Sequence, residues 1–476
     1  MFDRMQSLSK IDIKKIHDTS MSILEEIGVY FDDEKVGEIF NSHGYKVEGK
    51  IVFFEEKEII NAIEKVPSKF EVSARNDSKS ISIGEEDFVF APGYGAPFVM
   101  DYDGTRRNAN MEDYNNLCKI IHTSEYIDCN GFMMVEPHDV PAVSAHLDML
   151  YSNITLSDKV FMGSPVSLEG AEDAIKIAEM IWGNIKNRPV MISLINSISP
   201  LKYSKEMTKS LMKFAEYGQP CIVAPLIMGG ASGPIKIAGL LAQQNAEILA
   251  GITLAQLINE GAPIIYGSAS SITDLKTGSL SIGAPELAQI VSGTAQIARY
   301  YSIPSRAGGA ITDSHIPDTQ AGIESAFALY TAARNGVNFI LHSAGILNSY
   351  LTMSYEKFLI DEEICGMVKK ILRPIEVSDE ALSLDIIKEV GIGGEFLSHP
   401  KTLELCRTEY YNPLLMFRDN YESWLTRGKK RLDVIAHDRL NERLESYKKP
   451  DIGKSLEKDL KNYIEKRKEE IKGKVR

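Results

Sequence analysis

The chain has 476 residues, 44% of them hydrophobic and 25% charged, with 53 Lys/Arg against 66 Asp/Glu and a net charge of −13. These are globular proportions and exclude wholesale disorder or a collagen-like chain. The acidic balance argues against a general nucleic-acid binder, which needs a positive footprint. Five scattered cysteines show no CxxC spacing, so neither a disulfide framework nor a zinc ribbon is expected. No run of about 18 apolar residues marks a membrane span, and no signal peptide precedes the first helix, so a cytoplasmic protein is expected.

In chain order, 11–27 reads as an amphipathic helix with Ile13, Ile16, Met21, Ile23 and Leu24 on its apolar face. Strand-like runs follow at 51–54, 70–73, 81–83 and 88–90, and Asp101-Tyr102-Asp103-Gly104 is a hairpin signal. An α+β subdomain over 1–125 is expected. Seven short apolar strands then recur every 30–40 residues, at 130–135, 160–163, 190–195, 221–227, 264–267, 304–308 and 338–341, each followed by a helical stretch. Such runs suit strands buried on both faces of a parallel sheet. The reading is α/β: a (β/α)8 TIM barrel with its core over 126–350, its eighth strand upstream near 91–100 or unrecognised. A doubly wound sheet is the alternative.

From 351 to 476 the chain reads as helical and completes the barrel, with Ser378 capping one helix start. The tail after Pro450 carries nine Lys/Arg against six Asp/Glu, with Leu456, Leu460, Tyr463, Ile464 and Ile471 on one stripe. It reads as a terminal helix packed on its own domain, with a membrane or partner contact as the alternative.

In a barrel, function sits where strands end. Asn196, the glycine-rich run 228–234, Ser268, Arg306, Gly308-Gly309 and His342 fall there. No histidine pair has metal-ligand spacing, so no protein-bound metal is expected. The glycine pairs 229–230 and 308–309 suit a phosphate cradle or tight turns. Arg306 suits a substrate carboxylate or an ion pair with Asp313. His342 suits an acid–base role, a hydrogen-bond donor or a core position. Glu247, Glu286 and Asp318 have no visible catalytic partner. Tyr94, between two glycines on a flexible turn, Tyr350 and Tyr355 could cage a quaternary ammonium, or be core or surface residues. Lys276 is the one strand-end lysine suited to a Schiff base.

Together the stretches 245–251, 266–270, 283–287, 390–394 and 311–322 (Ile-Thr-Asp-Ser-His-Ile-Pro-Asp-Thr-Gln-Ala-Gly) resemble the trimethylamine methyltransferase family. The similarity runs from the first helix to Trp424 and is densest over 220–400. The resemblance implies a (β/α)8 barrel that moves a methyl group from an amine to the cobalt of a separate corrinoid (cobalamin) protein. Members acting on trimethylamine carry pyrrolysine just before the Asp-x-x-x-Pro-Asp pattern; here the matching position is Ile311. The chain thus resembles the pyrrolysine-lacking branch, for which glycine betaine and related quaternary amines are the implied substrates. On that reading Arg306, helped by His342 and Asn196, holds the carboxylate. Tyr94, Tyr350 and Tyr355 pack against the methylammonium, and the glycine-rich mouth admits the corrinoid. Proline betaine or carnitine as substrate, a non-catalytic betaine-binding protein and a Schiff-base lyase are the rivals. A homo-oligomer is also expected.

Overall fold

A computed structural model describes residues 4–475. Eight parallel strands form one sheet: β1 (Val89–Phe90), β2 (Cys129–Asn130), β3 (Val160–Met162), β4 (Met191–Ile195), β5 (Cys221–Val223), β6 (Ile264–Gly267), β7 (Ser305–Gly308) and β8 (Phe339–Leu341). Each is followed by a helix: α1 (Met111–Thr123), α2 (Ala145–Leu156), α3 (Leu168–Trp182), α4 (Lys205–Glu216), α5 (Ile237–Ile258), α6 (Pro285–Tyr300), α7 (Thr319–Arg334) and α8 (Tyr355–Leu372). β8 pairs with β1, Phe339 opposite Val89 and Ile340 opposite Phe90. The Asp128 N–H donates to the Phe90 carbonyl (2.8 Å), and the Asp128 carboxylate accepts from the Phe90 N–H (2.8 Å). Those two bonds join the first strand to the start of the second, so the sheet curls into a (β/α)8 barrel.

The eighth strand expected near 91–100 is Val89–Phe90, immediately upstream. The barrel therefore draws its first strand from within the 1–125 segment. Only two residues pair in that strand, too few for a periodic signal. The run 130–135 contributes only its first residue to β2, and the chain leaves the ladder at Gly131. A Cβ there would lie 2.8 Å from Met134 Cγ.

The N-terminal helix Lys10–Ser22 opens with a capping box at Ser9 and passes into one π-helical turn, Ile23–Ile27. It and the helix Glu56–Ile63 both pack on α5. That explains why α5, sandwiched between barrel and N-terminal layer, is apolar on nearly all sides. A small sheet over Val29–Phe31, Lys46–Glu48 and Ile51–Phe53 takes its fourth strand, Lys202–Tyr203, from the β4–α4 loop. The hairpin signal at 101–104 joins Phe98–Met100 to Arg106–Asn108, with Gly104 at φ 87°.

Beyond α8, Ser378 caps Asp379–Leu382, accepting the Ala381 N–H as the sequence indicates. Helix Leu432–Glu445 returns to α8 and α1. The terminal helix Lys454–Val475 lies on α2 and α3 and buries Leu460, Ile464 and Ile471. Its anchor is Asp173 of α3, buried, which accepts from Arg467 Nε (2.7 Å), the Tyr463 hydroxyl (2.5 Å) and His146 Nε2 (3.0 Å). The basic tail packs on its own barrel. No helix among the described residues is long and apolar enough to cross a membrane.

Candidate functional site at the barrel mouth

The strand register decides which way Arg306 points. Tyr266 of β6 reaches outward to Asn245 of α5 (2.9 Å). Its partner across the ladder, Ser305, therefore also faces out, and the next residue, Arg306, faces into the barrel. Arg306 is 1% exposed. One guanidinium N–H donates to the Ser268 carbonyl, and Nε has no partner. No carboxylate among the described residues pairs with it. Asp313, the alternative partner in the sequence, is occupied by the Ile282 and Gly283 N–H groups and the Ser349 hydroxyl. Burial pushes the Arg306 pKa down to about 10, while Tyr350 and Tyr94 draw it upward. The barrel thus holds a buried cation that lacks its anion.

His342 follows β8 with φ 60°, its own N–H donating to the Pro92 carbonyl. Nδ1 accepts the Tyr94 N–H (3.2 Å). A backbone amide can only donate, so Nδ1 carries no proton and the neutral ring carries its proton on Nε2. Burial, and then the charge of Arg306, hold the imidazolium form well below its ordinary range. His342 is therefore a neutral hydrogen-bond donor beside a cation.

Tyr350 leans on His342, with ring centroids 4.6 Å apart, and burial pushes its hydroxyl up to about 12. Tyr94 is buried, not exposed on a flexible turn as its flanking glycines suggest. A Cβ at Gly93 would sit 2.6 Å from Met353 Cε, so that glycine serves close packing. Ile311 is fully buried and covers Gly308. A Cβ at Gly308 would lie 2.8 Å from Ile311 Cδ1 and 3.7 Å from the Tyr350 hydroxyl. Arg306, His342, Tyr94, Tyr350 and Ile311 therefore converge at one side of the mouth, from β7, β8 and the loop after β1.

Two sequence candidates lie elsewhere. Asn196, half-buried after β4, donates from Nδ2 to the Ala224 carbonyl (3.0 Å), three strands away from β7. Tyr355 opens α8, and its hydroxyl bonds Asp113 of α1 (2.9 Å), a carboxylate also held by Arg107. It ties the start of α8 to α1, while Arg107 ties the hairpin arm to the same carboxylate.

The glycine pairs serve packing and turns. At Gly309 a Cβ would meet Ile340, Leu329 and Ser343 at 2.9 Å, and Gly230 turns the chain at φ 89°. Glu247 is saturated by Ser197, Ser199, Leu201 and Gln243. Asp318 caps α7, and Glu286 lies in the first turn of α6. Lys276 stands exposed on a rim turn, without the burial that activates a Schiff-base lysine. The described residues contain no group of three or more His, Cys, Asp or Glu able to hold a metal.

Two features escaped the sequence reading. The Ser268 carbonyl is a backbone group and leaves no trace in residue type. Asn130 of β2 is fully buried with both side-chain polar atoms unpartnered. A single Asn in an apolar run was its only signal.

The assembled chemistry is one buried arginine and one neutral imidazole, flanked by two tyrosine rings and an aliphatic side chain. No proton-transfer pair is built into it.

The model of the family described as trimethylamine methyltransferase matches residues 1–472. Glycine betaine methyltransferase of Desulfitobacterium hafniense is 44% identical over 98% of this chain and 97% of its own length. Proline betaine:corrinoid methyltransferase of Eubacterium limosum is 33% identical, covering 96% of each chain. Trimethylamine methyltransferase MttB of Methanosarcina barkeri is 30% identical, covering 97% of this chain and 95% of that one. Among solved structures, the monomethylamine methyltransferase of Methanosarcina barkeri superposes with a TM-score of 0.55 at 13% identity, covering 94% and 89%, a likeness of fold alone. The match to the family model spans nearly every residue and the nearly closed barrel agrees with it: the chain belongs to the trimethylamine methyltransferase family.

Proposed function

We propose that the chain takes a methyl group from a carboxylate-bearing quaternary amine, glycine betaine foremost, and passes it to the Co(I) of a corrinoid protein. The products are dimethylglycine and methyl-Co(III). The observation that carries this reading is Arg306: a buried guanidinium with one backbone partner, an unpaired Nε and no carboxylate. A substrate carboxylate supplies the missing anion. The names of relatives, glycine betaine methyltransferase and proline betaine:corrinoid methyltransferase, support the same substrate class and acceptor.

The corrinoid supplies a strong nucleophile; this chain supplies placement and charge. Arg306 and the Nε2–H of His342 hold the carboxylate. Tyr94 and Tyr350 face the methylammonium, whose nitrogen loses its charge as the methyl leaves. A tight cage would favour the ground state, so two rings are better than a closed aromatic box. The leaving group is a neutral tertiary amine and needs no proton, which accounts for a mouth poor in acid–base pairs. Ile311, at the position the resemblance assigns to pyrrolysine, closes the wall with hydrocarbon. Asn196 and Tyr355, engaged elsewhere, take no part in this reading.

The protein partner would dock on the rim. Val143, Ile198, Ile235, Leu275, Ile316 and Leu351 are exposed on loops that follow β2 and β4 to β8, and they ring the mouth with apolar surface. A homo-oligomer is supported by area. The described chain exposes 21,723 Å², against roughly 18,000 Å² for a compact monomer of this length. An apolar groove lies between α7 and α8, lined by Ile323, Phe327, Tyr330, Met367 and Ile371. Five free cysteines, four of them buried, suit a reducing cytoplasm.

The test mixes the protein with Co(I) cobalamin, or with a matched corrinoid protein, and offers glycine betaine, proline betaine, carnitine and trimethylamine separately. Loss of the Co(I) band and growth of methyl-Co(III) with a betaine, and not with trimethylamine, is the expected result. Betaine binding without methylation of either acceptor would replace the enzyme with a binding protein.

A further inference from the structure

Three consecutive residues before α8 adopt the left-handed conformation: Asn348 (φ 51°), Ser349 (φ 51°) and Tyr350 (φ 77°). None is glycine. Asn tolerates that region; Ser and Tyr do so only where the surroundings impose it. What imposes it is the segment 312–314 of the neighbouring β7–α7 loop. The Asn348 N–H donates to the Ser314 carbonyl (2.8 Å), and the Ser349 N–H to the Thr312 carbonyl (3.2 Å). The Ser349 hydroxyl donates to Asp313 Oδ1 (2.7 Å). Asp313 also accepts the Ile282 N–H (2.9 Å) and the Gly283 N–H (3.0 Å) from the β6–α6 loop. Its own N–H is held by Glu324 of α7 (2.9 Å). One carboxylate thus ties the loops after β6, β7 and β8, and its grip ends one residue before the tyrosine that packs on His342.

We infer that Asp313 and Ser349 are positioning residues: their hydrogen bond holds the strained turn that sets the Tyr350 ring against His342 and the substrate's methylammonium. The inference rests on the reading of Tyr350 as a wall of the substrate site. Neither residue touches the substrate; both act through Tyr350. The arrangement also accounts for Asp313 leaving Arg306 without a counter-ion. Its lone pairs are spent on the loops, so the guanidinium stays open for a ligand. With the latch released, the turn relaxes toward ordinary backbone angles and the ring swings away. The protein then loses substrate affinity and keeps its fold.

The test uses Ser349→Gly, Asp313→Asn, their combination and Tyr350→Ala in the full chain. Methylation of Co(I) cobalamin is followed at varied glycine betaine. Ser349→Gly is the informative single change, because glycine accepts φ 51° and loses the hydroxymethyl group that makes the link to Asp313. We expect its KM to rise about tenfold with kcat changed less than about threefold. Asp313→Asn should do the same, and the combination should be no worse than the worse single variant, because both break one link. A merely structural role would lower the melting temperature and leave KM alone. If Tyr350→Ala raises KM while Ser349→Gly stays within twofold of the parent, the latch is refuted and the site stands. If the two single effects multiply, the latch is likewise refuted. If Tyr350→Ala leaves KM unchanged, the site reading itself fails and this inference with it. Should Asp313→Asn not fold, Ser349→Gly alone decides.

Discussion

Arg306→Met should make the protein more stable and a worse enzyme at once. In the free protein the guanidinium is buried and its pKa is pushed from an ordinary 12.5 to about 10. That depression corresponds to about 3 kcal/mol held against the folded charged state. The sign follows from proton linkage: the folded pKa lies below the unfolded one, so the cost persists across the neutral range and lifts only as pH rises above about 10. Met fills the space without the charge. It leaves the Ser268 carbonyl unpaired, which returns about 1 kcal/mol, so the net gain is about 2 kcal/mol. For a chain of this length the unfolding entropy is about 1 kcal/mol/K, so the melting temperature should rise about 2 °C. Glycine betaine at a hundred times its Kd should stabilise the parent by about 2.7 kcal/mol, close to 3 °C, and the variant hardly at all. In turnover, losing a charge-assisted pair of about 1.5–3 kcal/mol should raise KM roughly 10- to 150-fold. Thermal melts with and without betaine, alongside Co(I) methylation kinetics, read both halves. A variant that melts lower than the parent and keeps its betaine shift would refute the argument that this arginine is a cation waiting for a substrate anion.

Other outcomes follow from the same structure. Lys357 Nζ is buried and bonds Asp361 (2.6 Å), Ser325 (2.8 Å) and the Ala310 carbonyl (3.0 Å); Lys357→Met should cost about 3–5 kcal/mol by urea unfolding, and a further Asp361→Leu should restore much of it. His342 titrates below its ordinary range, so the unfolded chain takes up its proton first and stability falls as pH drops below about 6.5. His342→Asn should remove about 1 kcal/mol of the stability lost between pH 7.5 and 5.5, read from urea midpoints. Arg467→Ala should leave kcat and KM unchanged while lowering amide-exchange protection across the Lys454–Val475 helix about tenfold, because its Asp173 anchor loses a buried ion pair.

How much of this could be read from residues alone depended on how local each feature is. Strands such as Met191–Ile195, with every residue buried, announce themselves as continuous apolar runs. The strand Val89–Phe90 does not, because its identity comes from pairing with Phe339 and Ile340 far along the chain. His342 stood out because a polar residue directly after an apolar run marks a barrel mouth, whereas Arg306, read as a strand-end residue, is the second residue of β7. Tyr355 looked equivalent to Tyr350 by position. The difference lies in Asp113, which captures its hydroxyl from another helix. The glycine pairs read as a phosphate cradle or tight turns; Gly230 is a turn at φ 89°, while Gly308 and Gly309 are crowded by neighbours such as Ile311 and Leu329. Asp313 read as one of two partners for Arg306, the other being a substrate carboxylate. Its real partners come from two other loops, and no spacing rule connects them.

The pairing of β1 with β8 also has a kinetic consequence. Val89 and Phe339 are partners about 250 residues apart. At translation rates of roughly 5–20 residues per second, the first strand waits on the order of 12–50 seconds for its mate to be made. Through that interval an open parallel sheet grows with both edges unpaired, the situation that favours aggregation and slow folding. Burial of α5 under the helix Lys10–Ser22 brings the N-terminal layer onto the half-made sheet well before β8 exists. The N-terminal layer would then act as a scaffold for the nascent sheet, and deleting it should lower soluble yield more than it lowers the stability of molecules that do fold.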